Sequence, residues 1–515
     1  MKLVELAAAL RGAERVMAAD ASNPNPNENP EVLRIESDSR RIRAGDLFVA
    51  IRGEKSDGLA HAADAVARGA VGVVSDRPAP AGVAGPWIRV REPRRAMGLL
   101  AARLAGDPAE HLVLAGVTGT NGKTTTTTLL EAVLKRRYGQ AGFLGTVGYR
   151  TPKREVSADR TTPEATVIQR LLGEMVHDGA KAAAMEVSSH ALMLERVAGC
   201  RFDVAVFTNL TRDHLDFHGD MEGYFEAKRR LFSLRKPGAA GVVNADDPYG
   251  RRLLAEEEAP MVGFSPSGAG DGGGGAEVVR AENAACDLSG TRLDVVHAGG
   301  RFALRSPLAG RFNVANLLAA AAAGLALGIA PADIAAATAS VGNVPGRFER
   351  VEAGQPYPIV VDYAHTPDAL ERLLAAVREL SDRRIVLVFG CGGDRDRGKR
   401  APMGEIAGRM ADLAIATSDN PRSEDPEAIL REVEEGLARS GATKYLKIVE
   451  RRDAIRAAVE LANPGSVVVI AGKGHETTQS IRGQELPFDD RKVAAELAGA
   501  SVRANADGSP ARGKS

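Results

Sequence analysis

The chain has 515 residues, too many for one core and enough for about three domains at roughly 100–200 residues each. Lys plus Arg equals Asp plus Glu at 67 each, so no global field draws it to nucleic acid or to an anionic membrane, and any anionic substrate has to be caught locally. Hydrophobic content of 44% beside charged content of 26% is ordinary for a soluble protein, and the three cysteines, Cys200, Cys286 and Cys391, are too few and too scattered for a disulfide framework or a cysteine zinc site.

Residues 1–10 are apolar but interrupted by Glu5 and closed by Arg11, which is not the core of a signal peptide. No later stretch offers about 18 uninterrupted apolar residues. A reducing, cytoplasmic setting is the expectation. The Pro/Asn-rich stretch Ser22 to Pro30 reads as an exposed loop. Asp46 to Ile51 and Gly72 to Ser75 read as strands around an Ala-rich helix at Ala60 to Ala67, giving a small α/β domain over 1–108.

The central domain, 109–345, opens with an apolar strand at Leu112 to Val117 that runs into Gly116-Val-Thr-Gly-Thr-Asn-Gly-Lys-Thr124 and then into a helix marked by Leu129, Leu130, Val133 and Leu134. A Gly-rich turn between strand and helix is a phosphate cradle. Its N–H groups face the phosphates, Lys123 neutralises them, and the Thr124 hydroxyl reaches Mg²⁺. The common pattern wants glycine where this chain has Val117, and supplies it instead at 116 and 119. Two further runs end in polar loops: Ala182 to Val187 carries Glu186 into Ser188-Ser-His190, and Val204 to Phe207 runs into Thr208 to Asp216. If these strands lie parallel to the one feeding the cradle, Glu186 and His214 approach the Mg²⁺ edge beside Thr124, with Glu186 the more natural ligand for a hard cation. The Gly-rich stretch Ser265 to Gly275 reads as a flexible excursion.

The third domain, 346–500, has β-branched runs at Ile385 to Phe389, Leu413 to Thr417 and Val467 to Ile470. They lead into Gly390 to Arg400, Ser418 to Ser423 and Ala471 to Glu476. Each loop alone also suits a structural turn. Three charged loops at one rim suit a small zwitterion, guanidinium forks taking carboxylates and acids taking ammonium groups. Residues 501–515 read as a disordered tail.

The ordered motifs resemble the Mur ligases of peptidoglycan synthesis over roughly residues 30 to 495. They are Asp38-Ser-Arg40, Gly45-Asp-Leu-Phe-Val-Ala50, Gly119 to Thr124, Thr161-Thr-Pro163, Glu186 to His190, Asn209 to Asp216, Tyr224-Phe-Glu-Ala-Lys228, Phe312 to Asn316, Pro345-Gly-Arg347, Asp362 to Pro367, Asp394-Arg-Asp396, Asp419-Asn-Pro-Arg422 and Gly472 to Glu476. The resemblance implies an α/β chain of three domains: a small UDP-substrate domain, a central ATPase domain with a mostly parallel sheet, and a Rossmann-like domain that brings an amino acid.

The resemblance also implies site residues. Ser39 and the loop around Glu54 to Ser56 lie near the UDP-sugar, while Thr161, Thr162, Ser188 and Arg196 hold the peptide and its phosphates. ATP is held by Gly119, Thr120, Asn121, Gly122, Lys123, Thr124 and Thr125, with Asn313, Arg347 and Asp362. Arg395, Asp419, Asn420, Pro421, Arg422, Gly472 and Glu476 receive the amino acid. In the family the Asp-Asn-Pro-Arg form accompanies meso-diaminopimelate, and lysine-adding members usually lose the arginine, so Arg422 sets the expected acceptor. Catalysis falls to Lys123, His214 and Lys228, the last carried as a carbamate. The metal set is Thr124, Glu186, His214 and Lys228.

The implied substrates are ATP, meso-diaminopimelate and UDP-N-acetylmuramoyl-L-alanyl-D-glutamate, with Mg²⁺ as cofactor. A carboxylate attacks the γ-phosphate to give an acyl phosphate, which an amine displaces after domain closure. A monomer that binds neither nucleic acid nor membrane is expected. Arg160 and Leu194 depart from relatives that often carry Asn and Gln there. The rival readings are a lysine-adding or folate-type sister ligase, an NTPase driving motion or signalling, and an inactive UDP-sugar binder.

Overall fold

Apolar runs of five or six residues, each followed by a longer helical period, dictate parallel strands with covering helices. The computed structural model describes residues 1–10, 29–53, 56–83, 85–258, 260–270, 275–441 and 444–506. Two compact units emerge. One takes Met1–Glu282, Asp294–Phe302 and Ala315–Thr338; the other takes Asn283–Leu293, Ala303–Val314 and the chain from Ala339 onward.

The first unit begins with a four-stranded parallel sheet in sequential order, β1 (Arg34–Glu36), β2 (Asp46–Val49), β3 (Gly72–Ser75) and β4 (Trp87–Arg89). Leu47 and Val49 face one core with Leu100, whereas Phe48 and Ala50 face another with Ala62 and Ala65. Both faces being covered, β2 reads as a continuous apolar run. The expected helix is shorter than 60–67, running Ala62–Ala67 after a 3-10 turn at Gly58–His61.

The larger sheet of this unit uses β5 (Val113–Thr118), β6 (Ala141–Gly145), β7 (Gly148–Arg150), β8 (Glu155–Val156), β9 (Ala182–Glu186), β10 (Phe202–Phe207), β11 (Arg235–Asn244) and β12 (Met261–Ser265), in the order β12-β11-β10-β5-β9-β6-β7-β8. The order continues from β12 through β13 (Glu277–Asp287), β14 (Gly290–His297) and β15 (Gly300–Ser306), where the chain passes between the units. All is parallel from β13 to β6, and the hairpin edge β6-β7-β8 is antiparallel. β5 is flanked directly by β9 and β10, with Val117 opposite Glu186 and Thr118 opposite Phe207. The three strand ends expected to carry chemistry therefore open side by side at one carboxyl edge.

In the second unit the sheet runs β16 (Glu349–Val351), β17 (Ile359–Asp362), β21 (Ser466–Ala471), β18 (Arg384–Cys391), β19 (Leu413–Ser418), β20 (Tyr445–Lys447), parallel except for β16 against β17. Ile385, Leu387 and Phe389 face the helices Pro367–Leu380, Arg400–Met410 and Pro426–Arg439. Val386 and Val388 face Arg451–Leu461 and Asp490–Ala506. A hairpin, β22 (Thr478–Ile481) with β23 (Gln484–Pro487), follows β21. The tail expected from residue 501 begins instead as helix, since Asp490–Ala506 is continuous with the layer under the sheet; residues 507–515 lie outside the described residues, as do 22–28 of the expected N-terminal loop and 271–274 of the glycine run.

Candidate active site

The phosphate cradle is built from backbone. Gly119 (φ +147°) and Gly122 (φ +85°) adopt conformations that side chains resist; a Cβ on Gly119 would stand 1.9 Å from Thr208 Oγ1, and one on Gly122 2.3 Å from Asn316 Oδ1. Glycine is thus required at 119 and 122, and Val117 is free to be a buried strand residue. The loop after β10 braces the cradle. Thr120 N donates to Asn209 O (2.8 Å), Asn121 N to Asn209 Oδ1 (3.0 Å), and Thr208 Oγ1 to Asn121 O (2.6 Å). Lys123 folds back so that Nζ donates to Gly119 O (3.0 Å) and Thr120 O (2.9 Å), and Thr124 and Thr125 form the first turn of the helix Lys123–Tyr138.

Beside it, Glu186 is fully buried at the end of β9. Its carboxylate accepts from Thr124 Oγ1 (3.0 Å), Thr146 N (2.7 Å) and Thr146 Oγ1 (3.2 Å), and Thr146 Oγ1 lies 3.0 Å from Thr161 Oγ1. Thr162 Oγ1 donates to Glu186 O (2.9 Å) and accepts from Ser188 N (3.0 Å). Arg196 reaches the same turn through Nη1 to Thr162 O (3.3 Å) and pairs with Glu164 at 3.1 Å, yet its buried Nε meets no acceptor among the described residues. A buried guanidinium N–H without an acceptor suits an anion. Arg160 points outward to Glu164 at 3.5 Å.

Lys228, 1% exposed on the helix Met221–Ser233, donates from Nζ to Gly119 O at 2.7 Å and lies 4.4 Å from the Tyr224 ring centre. Burial, with Lys123 adding to it, holds its amine well below the ordinary lysine value of 10.5. His214 sits at φ +52°, its ring edge-on to His190 (4.8 Å) and Tyr224 (6.2 Å), while Tyr224 OH accepts from Thr120 Oγ1 at 3.3 Å. His218 stacks on Tyr224 and is pushed down to about 4 by burial and by His190 and Lys228.

The expected metal set is therefore only partly assembled. Thr124 and Glu186 touch, His214 connects through Tyr224, and Lys228 points its N–H at a carbonyl because an amine offers no oxygen to a cation. Among the described residues no group of three or more His, Cys, Asp or Glu side chains is arranged to hold a metal. Ser39 opens the 3-10 turn Ser39–Arg41 after β1; Glu54 and Lys55 lie outside the described residues.

In the second unit, β18, β19 and β21 deliver their loops together. Arg422, at φ +53°, donates from Nη1 to Gly393 O (2.6 Å) and pairs with no carboxylate among the described residues. Asp394 fastens the facing loop by accepting from Ser423 N (3.0 Å) and Ser423 Oγ (2.7 Å). Asn420 Nδ2 donates to Glu476 Oε2 at 2.8 Å. Asp419 and Pro421 are buried beside it. Burial raises the Asp419 carboxyl, opposed by Arg451 and Lys473. Gly472 runs so close that a Cβ would meet Asp419 Oδ2 at 2.6 Å. Arg395 is exposed on its loop.

Asp362 ends β17 and accepts from Phe348 N (2.7 Å) and Ala364 N (2.8 Å). Arg347 lies 5.0 Å from the Tyr363 ring centre, and its buried Nε also meets no acceptor among the described residues. Asn313 caps Ala309 O from Nδ2 at 2.7 Å.

Sequence reasoning missed Thr146, which completes the grip on Glu186, and Lys473 and Arg451 under the second site. Thr146 follows an apolar run ending at Gly145, so a strand-end rule applied there would have found it. Arg451 opens a helix and carries no such signal.

Known families describe the chain in three segments: "Mur ligase family, catalytic domain" matches residues 31–104, "Mur ligase middle domain" 117–324, and "Mur ligase, glutamate ligase domain" 346–474. The UDP-N-acetylmuramoyl-L-alanyl-D-glutamate–2,6-diaminopimelate ligase of Geobacter metallireducens is 46% identical over 498 residues, covering 92% of this chain and 96% of that one. That of Geobacillus kaustophilus is 47% identical over 473 residues, covering 90% and 94%. A solved structure of a ligase with the same name superposes with a TM-score of 0.67 at 34% identity, covering 92% of this chain and 95% of that one.

Proposed function

Since the chain belongs to the Mur ligase family, we propose that it is the ATP-dependent amide ligase that adds meso-2,6-diaminopimelate to UDP-N-acetylmuramoyl-L-alanyl-D-glutamate, as its relatives are named for doing. The terminal D-glutamate carboxylate attacks the γ-phosphate of ATP, forming an acyl phosphate and releasing ADP. The amine of diaminopimelate then attacks the acyl carbon, the amide bond forms, phosphate leaves, and the amine gives up a proton. Most of the work is positioning and neutralising charge.

Gly119 to Thr125 wrap the phosphates, and Lys123 leaves its carbonyl partners for them; Asn313, Arg347 and Asp362 contact the nucleotide. Ser39, Thr161, Thr162, Ser188 and Arg196 hold the UDP-dipeptide, the orphaned Nε of Arg196 taking an anionic oxygen. The Thr124 hydroxyl and Glu186 carboxylate are oxygen donors in contact, which suits a hard cation, so these residues would hold Mg²⁺ with His214. When bound, Mg²⁺ neutralises phosphate charge. Lys228 joins that set as a carbamate. Its depressed pKa enlarges the neutral amine fraction, which forms an N–C bond to CO2 and loses a proton to water, replacing a donor by an anionic acceptor.

The observation that carries the choice of acceptor is Arg422, three residues past Asp419, whose guanidinium donates to Gly393 O and pairs with no carboxylate among the described residues. It takes the distal carboxylate of diaminopimelate, which lysine lacks. A monomer in the cytoplasm is the proposed setting; no helix among the described residues is long and apolar enough to cross a membrane. The test is phosphate release and product mass with ATP, Mg²⁺ and the UDP-dipeptide, comparing meso-diaminopimelate with L-lysine. A diaminopimelate-dependent tripeptide is expected. Preference for lysine would overturn the role of Arg422, and phosphate release indifferent to both amino acids and to the dipeptide would overturn the ligase.

A further inference from the structure

Under the three loops of the second unit lies a lysine with no solvent exposure, Lys473, one residue past Gly472. Its Nζ donates to Asn420 Oδ1 (3.0 Å) and Glu476 Oε2 (2.9 Å) and stands 4.0 Å from Asp419 Oδ1. Burying an ammonium is costly, and neither partner demands it. Asn420 is half-buried and the Glu476 side chain is 31% exposed, so water could satisfy both. What Lys473 imposes is direction.

Asn420 Oδ1 accepts from both Lys473 Nζ and Ser480 N (3.0 Å), which uses its two lone pairs and settles which way the amide faces. Nδ2 must then face Glu476, and it donates to Oε2 at 2.8 Å. Glu476 Oε2 is thereby occupied twice, and Oε1, on a side chain 31% exposed, is left with no hydrogen bond among the described residues. Asp419, beside the same ammonium, is helped toward its charged form against burial.

We propose that Lys473 is a positioning residue that sets the donor and acceptor pattern of the amino-acid site, fixing Asn420 and holding Glu476 with one oxygen presented to the ammonium group of the incoming zwitterion. This rests on the reading of that site as the diaminopimelate site. Without the ammonium, Asn420 can turn over and Glu476 can swing outward, so affinity for the amino acid falls while the phosphate cradle is untouched.

The experiment is steady-state kinetics of Lys473→Met and Lys473→Arg in the full chain, with KM measured separately for meso-diaminopimelate, ATP and the UDP-dipeptide, alongside melting temperature. Lys473→Met is expected to raise KM for diaminopimelate about 10- to 100-fold, with KM for ATP and the dipeptide within about twofold of wild type, and Lys473→Arg to recover part of the loss. An unchanged KM for diaminopimelate overturns the proposal, as does a rise in all three KM values with lost melting temperature in both variants. Failure of the underlying reading looks different, because the wild-type enzyme itself would then make no diaminopimelate product.

Discussion

Gly119, placed in the cradle by the sequence, receives its physical reason from the geometry. The usual phosphate-loop pattern puts a glycine where Val117 stands, but Val117 is still a strand residue, the last to pair with β9, opposite Glu186, and the conformation that needs glycine belongs to residue 119. The motif's chemistry was legible from Lys123 and Thr124; which glycine bears the turn depends on Thr208, 89 positions later, and no local pattern shows that. Gly119→Ala combines a forbidden φ with a contact of 1.9 Å, so Thr208 and the cradle must shift apart. A loss of at least about 100-fold in kcat/KM for ATP is expected in the coupled phosphate-release assay, since an error of about 1 Å at a reacting centre costs that much. Full activity would mean that the cradle is looser than its hydrogen bonds.

At the level of elements, the strands were legible to within one or two residues because each is apolar on both faces: Leu413 to Thr417 became β19 and Val467 to Ile470 became β21. The connection between them was not. Arg451, fully buried at the start of its helix, forks onto Asp490 (2.8 and 2.7 Å) and donates to Ala471 O (3.0 Å) and Ser418 O (3.4 Å), the residues just before Gly472 and Asp419. It ties two site-bearing strand ends to the helix Asp490–Ala506, the stretch whose end looked like a tail from composition alone. Arg451→Met leaves Asp490 buried and unpaired, for an expected cost of about 3–5 kcal/mol in urea denaturation. Arg451→Met with Asp490→Leu is expected to restore most of it, because the charge and its penalty go together. If the double variant is as unstable as the single one, the pair matters for the carbonyls it holds rather than for its charge.

For the molecule as a whole, the α/β class and the family were legible from motif order. By contact, the described residues from 1 to 282 gather in one unit, and the second unit takes segments from 283–293 and 303–314 as well as the chain from Ala339 onward. The chain thus leaves each unit and returns to it. Each unit holds a histidine pushed down from 6.5 to about 4, His218 in the first and His475 in the second, burial being the main cause in both. Between those values the unfolded chain takes up a proton that the fold refuses, so stability falls as pH drops from about 6.5 to 4 and is indifferent to these groups above it. Melting temperature against pH should be flatter over that window in His218→Gln and in His475→Gln; an unchanged acid slope in both would mean that these rings accept protons in place.

The central position of β5 also orders events during synthesis. Its neighbours are β9 and β10, and the cradle it feeds is braced by Thr208 and Asn209 and closed over Gly122 by Asn316, whose Oδ1 accepts from Thr126 Oγ1 at 3.3 Å. A ribosome adds about 5–20 residues each second, so roughly ten seconds or more separate the emergence of the glycine loop from that of its last brace. Through that interval the most recognisable motif in the chain exists without Thr208, Asn209 and Asn316, the residues that brace it, until more than half of the protein has been made.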